Sequence, residues 1–276
     1  MTAASRVGWF DGRSAVVTGA AHGIGRAVAN LLVELGARVV AVDRDEQGLE
    51  ASFDAGACVR RVGDLAGEDT EQLAADIWQR HGPIQLLVNN VGIETPHRFL
   101  ELSPADFDIV FDTNLRGPWF FTRRIAQNLI DAELGGSIVF VSSLHDSVIR
   151  TLPHYSASKA AAAMLVKELA VELAPHRIRV NAVSPGSIRT ERIAGDSTDG
   201  ETKRRRFIPL GRVGEPDEVA RMVAVLLSDE WSSYVTGTNI RVDGGLGLRS
   251  WSLEEQAGDL PSWSAKRLAR HLRRRG

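Results

Sequence analysis

The sequence predicts an α/β fold built on one doubly wound parallel sheet with helices on both faces. Short β-branched runs recur along the chain, they are apolar at consecutive rather than alternate positions, and stretches of helical length separate them. Strands buried on both faces read in this way, and strand alternating with helix is the pattern of a parallel sheet. The first strand is the Ser-Ala-Val-Val run at 14–17, and the amphipathic stretch 24–35 is the helix after it. Residues 38–42 (Arg-Val-Val-Ala-Val) and 58–62 supply the second and third strands. A helix over 68–81 leads to the fourth strand at 84–89, and two helical stretches, 105–113 and 119–131, precede the fifth at 137–141. The long helix over 155–173 leads to the sixth strand at 178–183, and a helix over 216–228 leads to the last at 239–242.

No internal repeat and no Pro-, Gly- or Ser-rich linker breaks this order before residue 247, so one domain over 10–247 is expected. At 276 residues, a chain can bury roughly 75% of its unfolded surface and needs no metal or disulfide staple. The single cysteine, Cys58, forms no internal bridge. Lys and Arg number 33 against 35 Asp and Glu, a formal net charge of −2; this gives no electrostatic case for nucleic acid as the partner. Residues 1–12 hold no apolar stretch of signal-peptide length. The apolar run 160–166 falls well short of the ~20 residues that span a bilayer. A cytoplasmic protein without a membrane span is expected. Two segments stand apart from the pattern. Residues 187–212 are polar and charged, include Lys-Arg-Arg-Arg at 203–206, and follow a strand end where open α/β sheets bind ligands; they read as a lid. Residues 248–276 carry seven Lys and Arg against three Asp and Glu and read as a basic tail outside the core.

The first strand runs into Thr18-Gly-Ala-Ala-His-Gly-Ile-Gly25, and the helix follows at once. Glycines at 19, 23 and 25 permit a tight turn and close backbone approach to a pyrophosphate, whose charge the helix N-terminus favours. The second strand ends at Asp43, about twenty residues further on, where a carboxylate accepts hydrogen bonds from the adenosine ribose and repels a 2′-phosphate. NAD is therefore expected over NADP. Arg44 is the neighbouring alternative as a phosphate partner, and Asp43 also reads as a helix cap before Glu46.

From here the chain resembles the short-chain dehydrogenase/reductase family over residues 10–247, and the resemblance implies a Rossmann-like fold. Asn89-Asn-Val-Gly92 resembles the motif after the fourth strand, with Val91 in place of the usual alanine. It implies Asn90 beside the cofactor and leaves Asn89 to bond between strands. Asp64 and Leu65 match the family's adenine contacts, and Ile24 lies within its glycine motif. Tyr155-Ser-Ala-Ser-Lys159 is the family's Tyr-x-x-x-Lys. Residues four apart share a helix face, so the Lys159 ammonium can favour the ionised Tyr155 phenol, and the family implies that it also holds the nicotinamide ribose. Of Ser142 and Ser143, only one faces a crevice at a strand end; the family register selects Ser143 as the substrate hydrogen-bond partner, with Ser142 as the fallback. Asn114 matches the asparagine that holds a water beside the lysine. Pro185 and Gly186 match the turn facing the nicotinamide, with Ile188 and Thr190 as cofactor neighbours. The Gly211-Arg-Val-Gly-Glu-Pro216 segment and the one around 235–245 read as structural, and the latter supports a tetramer interface in relatives.

The expected activity is NAD-dependent interconversion of a secondary alcohol and a ketone, with Asn114, Ser143, Tyr155 and Lys159 as the catalytic set. The expected partner is a small-molecule alcohol or ketone, and the protein a homo-oligomer, tetramer or dimer. An NADP-dependent 3-oxoacyl thioester reductase shares every motif, and the basic run 203–206 suits a phosphorylated carrier. A non-catalytic NAD-binding redox sensor is the alternative from another class. No metal is expected, because the seven histidines are scattered. His145 and His154 flank the crevice, either as substrate contacts or as satisfied loop groups.

Overall fold

The computed structural model describes residues 8–67, 69–149, 151–191 and 205–248. Parallel strands cannot be joined by tight turns, so each connection carries a helix across a face of the sheet. In chain order the elements are β1 (Ser14–Thr18), α1 (Gly23–Glu34), β2 (Arg38–Asp43), α2 (Glu46–Ser52), β3 (Val59–Val62), α3 (Thr70–His81) and β4 (Ile84–Asn89). There follow α4 (Pro104–Phe111), a π-helical turn (Asp112–Arg116), α5 (Gly117–Asp131), β5 (Gly136–Val141) and α6 (Pro153–Leu173). The described chain ends with β6 (Ile178–Pro185), α7 (Pro216–Leu227), the short α8 (Asp229–Ser232) and β7 (Asn239–Val242). All seven strands pair in parallel, in the order β3-β2-β1-β4-β5-β6-β7.

The pleat divides each strand between two cores. Ala15, Val17, Val39, Leu86 and Val88 pack with Val28 and Leu32 of α1 and Val219 and Val223 of α7. Their neighbours Val16, Val40, Leu87 and Ile138 pack on the other face with Ile77, Phe121, Ile125 and Val166. This is why the strands read as unbroken apolar runs. β3 departs from the expectation: it is an edge strand, mostly exposed, and carries Arg60 and Arg61.

Two features differ from the sequence expectation. α2 was anticipated only as a cap before Glu46 and without a range, because its seven residues include Gly48 and show no apolar stripe; the Asp45 side chain caps it, accepting from the Gly48 amide at 2.9 Å. The two helices expected at 105–113 and 119–131 are joined by the π turn, in which the Gly117 amide donates to the Asp112 carbonyl. Pro118 supplies no N–H and its ring crowds the carbonyl four residues back, so the helix widens by one residue there. Of the segment expected as a lid, residues 192–204 lie outside the described residues, as does the basic tail beyond Leu248. Among the described residues, no helix is long and apolar enough to cross a membrane.

At the end of the sheet remote from the glycine turn, the buried Arg179 of β6 closes the C-terminus of α7. Its guanidinium donates to the Leu226 carbonyl at 2.8 Å and the Leu227 carbonyl at 3.1 Å, and reaches Asp229 at 3.0 Å. Those carbonyls have no partner inside the helix. Arg179→Met, which keeps the apolar stem, is expected to lower stability by about 3 kcal/mol, read as a lower urea midpoint with an unchanged slope.

Candidate active site

Strand order reverses beside β1, whose neighbours are β2 and β4. The helices leaving these strands diverge to opposite faces and leave a crevice at the strand C-termini. A cleft of about 630 Å³ lies there, within the size range of small-molecule and cofactor sites.

Its floor is the turn after β1. Gly19 and Gly23 both adopt positive φ, +64° and +51°, a region that favours glycine. A Cβ on Gly19 would stand 2.9 Å from Asn90 Nδ2, and one on Gly23 would stand 2.9 Å from Thr190 Cγ2. Asn90 binds the turn to the end of β4: its Nδ2 donates to the Gly19 carbonyl at 2.9 Å and the Thr18 carbonyl at 3.1 Å. Gly23 and Ile24, at the start of α1, line the cleft, whereas Gly25 stands behind its wall. A Cβ there would fall 1.9 Å from the Gly19 carbonyl oxygen, so this third glycine serves the packing of helix against turn.

Asp43 stands at the cleft's edge with both oxygens engaged. Oδ2 accepts from the Ala21 amide and Oδ1 from the Asp45 amide, each at 3.0 Å. The alternative reading of Asp43 as the cap of the next helix is corrected: Asp45 caps it, and Asp45 Oδ2 also meets His22 Nε2 at 2.7 Å. The Gly48 amide first, and then His22, hold the Asp45 carboxyl below the usual carboxylate range. Asp64 and Leu65 line the same end of the cleft, and Asp64 Oδ1 accepts from the Ala66 amide at 2.9 Å. Asn89 is also corrected. Its Nδ2 donates to Thr122 Oγ1 on α5 at 2.8 Å, joining strand to helix instead of strand to strand.

At the opposite end stand Ser142, Ser143, Tyr155, Lys159, Pro185 and Gly186. α6 presents Tyr155 and Lys159 one turn apart. Lys159 is buried, donates from Nζ to the Val141 carbonyl at 3.2 Å, and sits 5.8 Å from the Tyr155 ring centroid. Its neighbour in space is Gly92, where a Cβ would lie 3.0 Å from Lys159 Nζ and 3.4 Å from Asn114 Oδ1. Asn114, in the π turn, stands behind the wall. It accepts from the Ile93 amide at 2.8 Å and donates to the Ile93 carbonyl at 2.9 Å and Ser158 Oγ at 3.0 Å.

The two serines differ in their bonding. Ser142 is buried and donates to Asp146 Oδ2 at 3.3 Å, while Ser143 Oγ accepts from the His145 amide at 3.3 Å. Asp146 was missed by the sequence reading: it also receives Asn239 Nδ2 at 2.7 Å and the Ser184 hydroxyl, fixing the turn after β5 to β6 and β7. Ile188 and Thr190 complete the cleft, and beside them lies a second residue the motifs did not reveal, Glu191. The two histidines do not line the cleft. His154 is buried against Thr95 Oγ1 at 2.9 Å, and His145 bonds Ser156 Oγ at 3.2 Å with its ring edge-on to Tyr155.

The cradle fits a dinucleotide: backbone bare of Cβ at a helix N-terminus, a carboxylate about twenty residues on, and a cleft long enough to join both to Tyr155. Residues 19–247 match the family described as enoyl-(acyl carrier protein) reductase. The acetoacetyl-CoA reductase of Synechocystis sp. is 39% identical over 232 residues, covering 83% of this chain and 94% of that protein. An L-rhamnose 1-dehydrogenase (NAD(P)(+)) of Azotobacter vinelandii is 36% identical, covering 85% of this chain and 96% of its own. Among solved structures, a short-chain type dehydrogenase/reductase from Mycobacterium marinum aligns with a TM-score of 0.81 at 35% identity, covering 89% of this chain and 99% of that one.

The contact behind the wall yields a test whose sign is decided by magnitude. In an open helix Ala is favoured over Gly by about 1 kcal/mol. At position 25 the clash with Gly19 reverses this. Gly25→Ala is expected to destabilise the protein by roughly 2 kcal/mol, measured as a lower urea midpoint.

Proposed function

Because the chain belongs to the short-chain dehydrogenase/reductase family, and is on that ground an NAD(P)-dependent oxidoreductase, we propose that it interconverts a secondary alcohol and a ketone, with Tyr155 as general acid/base. The observation that carries this reading is the pairing of Tyr155 with the buried Lys159 in the cleft. Bound nicotinamide supplies a hydride acceptor for oxidation or donor for reduction. A free phenol titrates near pH ~10; the Lys159 ammonium favours its ionised form, so that the Tyr155 oxygen can take the alcohol proton and return it to a ketone. Ser143 accepts from His145, which leaves its own proton to give to the substrate oxygen. Ser142, turned toward Asp146, supports that turn instead. Asn114 acts through others: it holds the chain at Ile93 against α6 and so fixes the approach to Lys159.

The residues that would hold the cofactor follow the cleft from end to end. Gly19, Gly23 and Ile24 take the pyrophosphate, Asp43 the adenosine ribose, and Asp64 and Leu65 the adenine. Asn90, Pro185, Gly186, Ile188 and Thr190 border the nicotinamide, with Lys159 on its ribose. NAD is favoured over NADP because Asp43 and Asp45 set two carboxylates where a 2′-phosphate would stand, beside Arg44 and His22. Phe107, Ile109 and Trp119, exposed on α4 and α5, support a homo-oligomer.

A second reading, reduction of a 3-oxoacyl thioester, is supported by the names of relatives, among them the Synechocystis reductase and the 3-oxoacyl-[acyl-carrier-protein] reductase FabG of Thermotoga maritima, 38% identical over 255 residues. A spectrophotometric screen of the protein with NAD and NADP against an alcohol panel, and with their reduced forms against an acetoacetyl thioester, separates the two readings.

Tyr155→Phe keeps the ring and removes the proton-carrying group. It is expected to bind NAD as the wild type does while losing about 10²–10⁴-fold in turnover; near-normal rates on a true substrate would overturn the assignment. Cofactor choice is read separately. The wild type is expected to show higher kcat/KM with NAD than with NADP, and Asp43→Ala to narrow or invert that ratio by removing the repulsion and releasing Arg44 as a phosphate partner. Equal use by the wild type would sink the charge argument.

A further inference from the structure

The N-terminus of α1 is the one helix end in the cleft whose bonding the proposed chemistry leaves unexplained. Its own cap is poor: His22 makes no side-chain cap hydrogen bond, and no acidic residue stands in the first turn. An acceptor arrives instead from a distant part of the chain. Glu191 Oε2 accepts from the Gly23 amide at 3.1 Å, and Glu191 Oε1 pairs with the Arg26 guanidinium. Thr190 packs over the same glycine, since a Cβ on Gly23 would strike Thr190 Cγ2 and reach Glu191 Oε2 at 3.7 Å. Partial burial pushes the Glu191 carboxyl up, but the backbone amides of Glu191 and Gly23 and the Arg26 charge outweigh it and hold the group below its ordinary value. A carboxylate thus occupies the position where the helix dipole and the bare amide favour an anion.

Resting on the cofactor reading above, we infer that Glu191 is an intramolecular competitor for the diphosphate of the dinucleotide and a determinant of cofactor affinity. The two anions claim one amide, that of Gly23, and like charges there disfavour each other. Binding therefore requires Glu191 to leave Gly23. The carboxylate is a weak competitor because it is half in solvent, where water screens its hold on the amide.

The test is calorimetric titration of the full chain, as wild type, Glu191→Gln and Glu191→Ala, with NAD, ADP-ribose and adenosine. Glu191→Gln removes the charge with little change of shape, and Glu191→Ala removes the acceptor as well. Both are expected to bind NAD and ADP-ribose about 3- to 10-fold more tightly than the wild type, with adenosine, which has no phosphate, unchanged. Affinity for ADP-ribose that is equal or weaker in both variants, with the wild type binding measurably, overturns the inference and leaves the cofactor reading standing. An equal gain for adenosine also overturns it, because the effect would then not lie at the diphosphate. Failure of all three chains to bind either dinucleotide-like ligand removes the cofactor reading and the inference with it.

Discussion

Burial of a parallel sheet on both faces is the constraint from which the rest of this structure follows. Each strand must be reached by a helical crossover, and the crossovers from β1 and β4 leave for opposite faces because the strand order reverses between them. The strand ends open into the cleft at that point. Apart from Thr113 of the π turn, the residues that line the cleft come from a strand terminus, the segment after it, or the first turns of the next helix. Gly23 follows β1, Asp43 ends β2, Asp64 follows β3, Asn90 follows β4, and Ser143 follows β5.

The wall of the cleft is held by hydrogen bonds between these termini, more than by apolar packing. Asn90 binds the end of β4 to the turn after β1, Asp43 binds the end of β2 to that same turn, and Asp146 binds the turn after β5 to β6 and β7. Asn90 and Asp43 are fixed by backbone carbonyls and amides, and Asp146 by the side chains of Ser184 and Asn239. Preorganisation of this kind lets a site keep its dipoles oriented without rearrangement when charge moves. It also places anionic groups in quantity: Asp43, Asp45 and Asp64 line one end and Glu191 stands over Gly23, with Lys159 at the other end.

How much of this was legible in the sequence depended on range. The glycine turn and the Tyr155–Lys159 pair were legible because their geometry is local: a strand runs straight into a helix, and four residues make one turn. The apolar runs located all seven strands to within one or two residues at either end. α2 showed only as a cap before Glu46, because a helix this short with Gly48 inside it owes its existence to the Asp45 cap and not to any periodicity. The alternative reading of Asp43 as that cap fails because a second carboxylate lies two residues on, at Asp45. Asn89 was misread because nothing local distinguishes a side chain facing a helix from one facing a neighbouring strand. The contact of Glu191 with Gly23 spans 168 residues, and the bonds of Asp146 with Asn239 span 93; only the assembled sheet brings them together.

The π turn before Pro118 carries a consequence for how the protein can change. Each residue added to or removed from a helix rotates everything beyond it by about 100°, and the extra residue here sets the phase between α4 and α5. Asn114 sits within it, wedged between Ile93 and Ser158. The length of this stretch is therefore a site coordinate in its own right, as binding as the identity of the asparagine. A one-residue insertion or deletion between Pro104 and Pro118 would swing Asn114 away from α6 while leaving the helix itself intact.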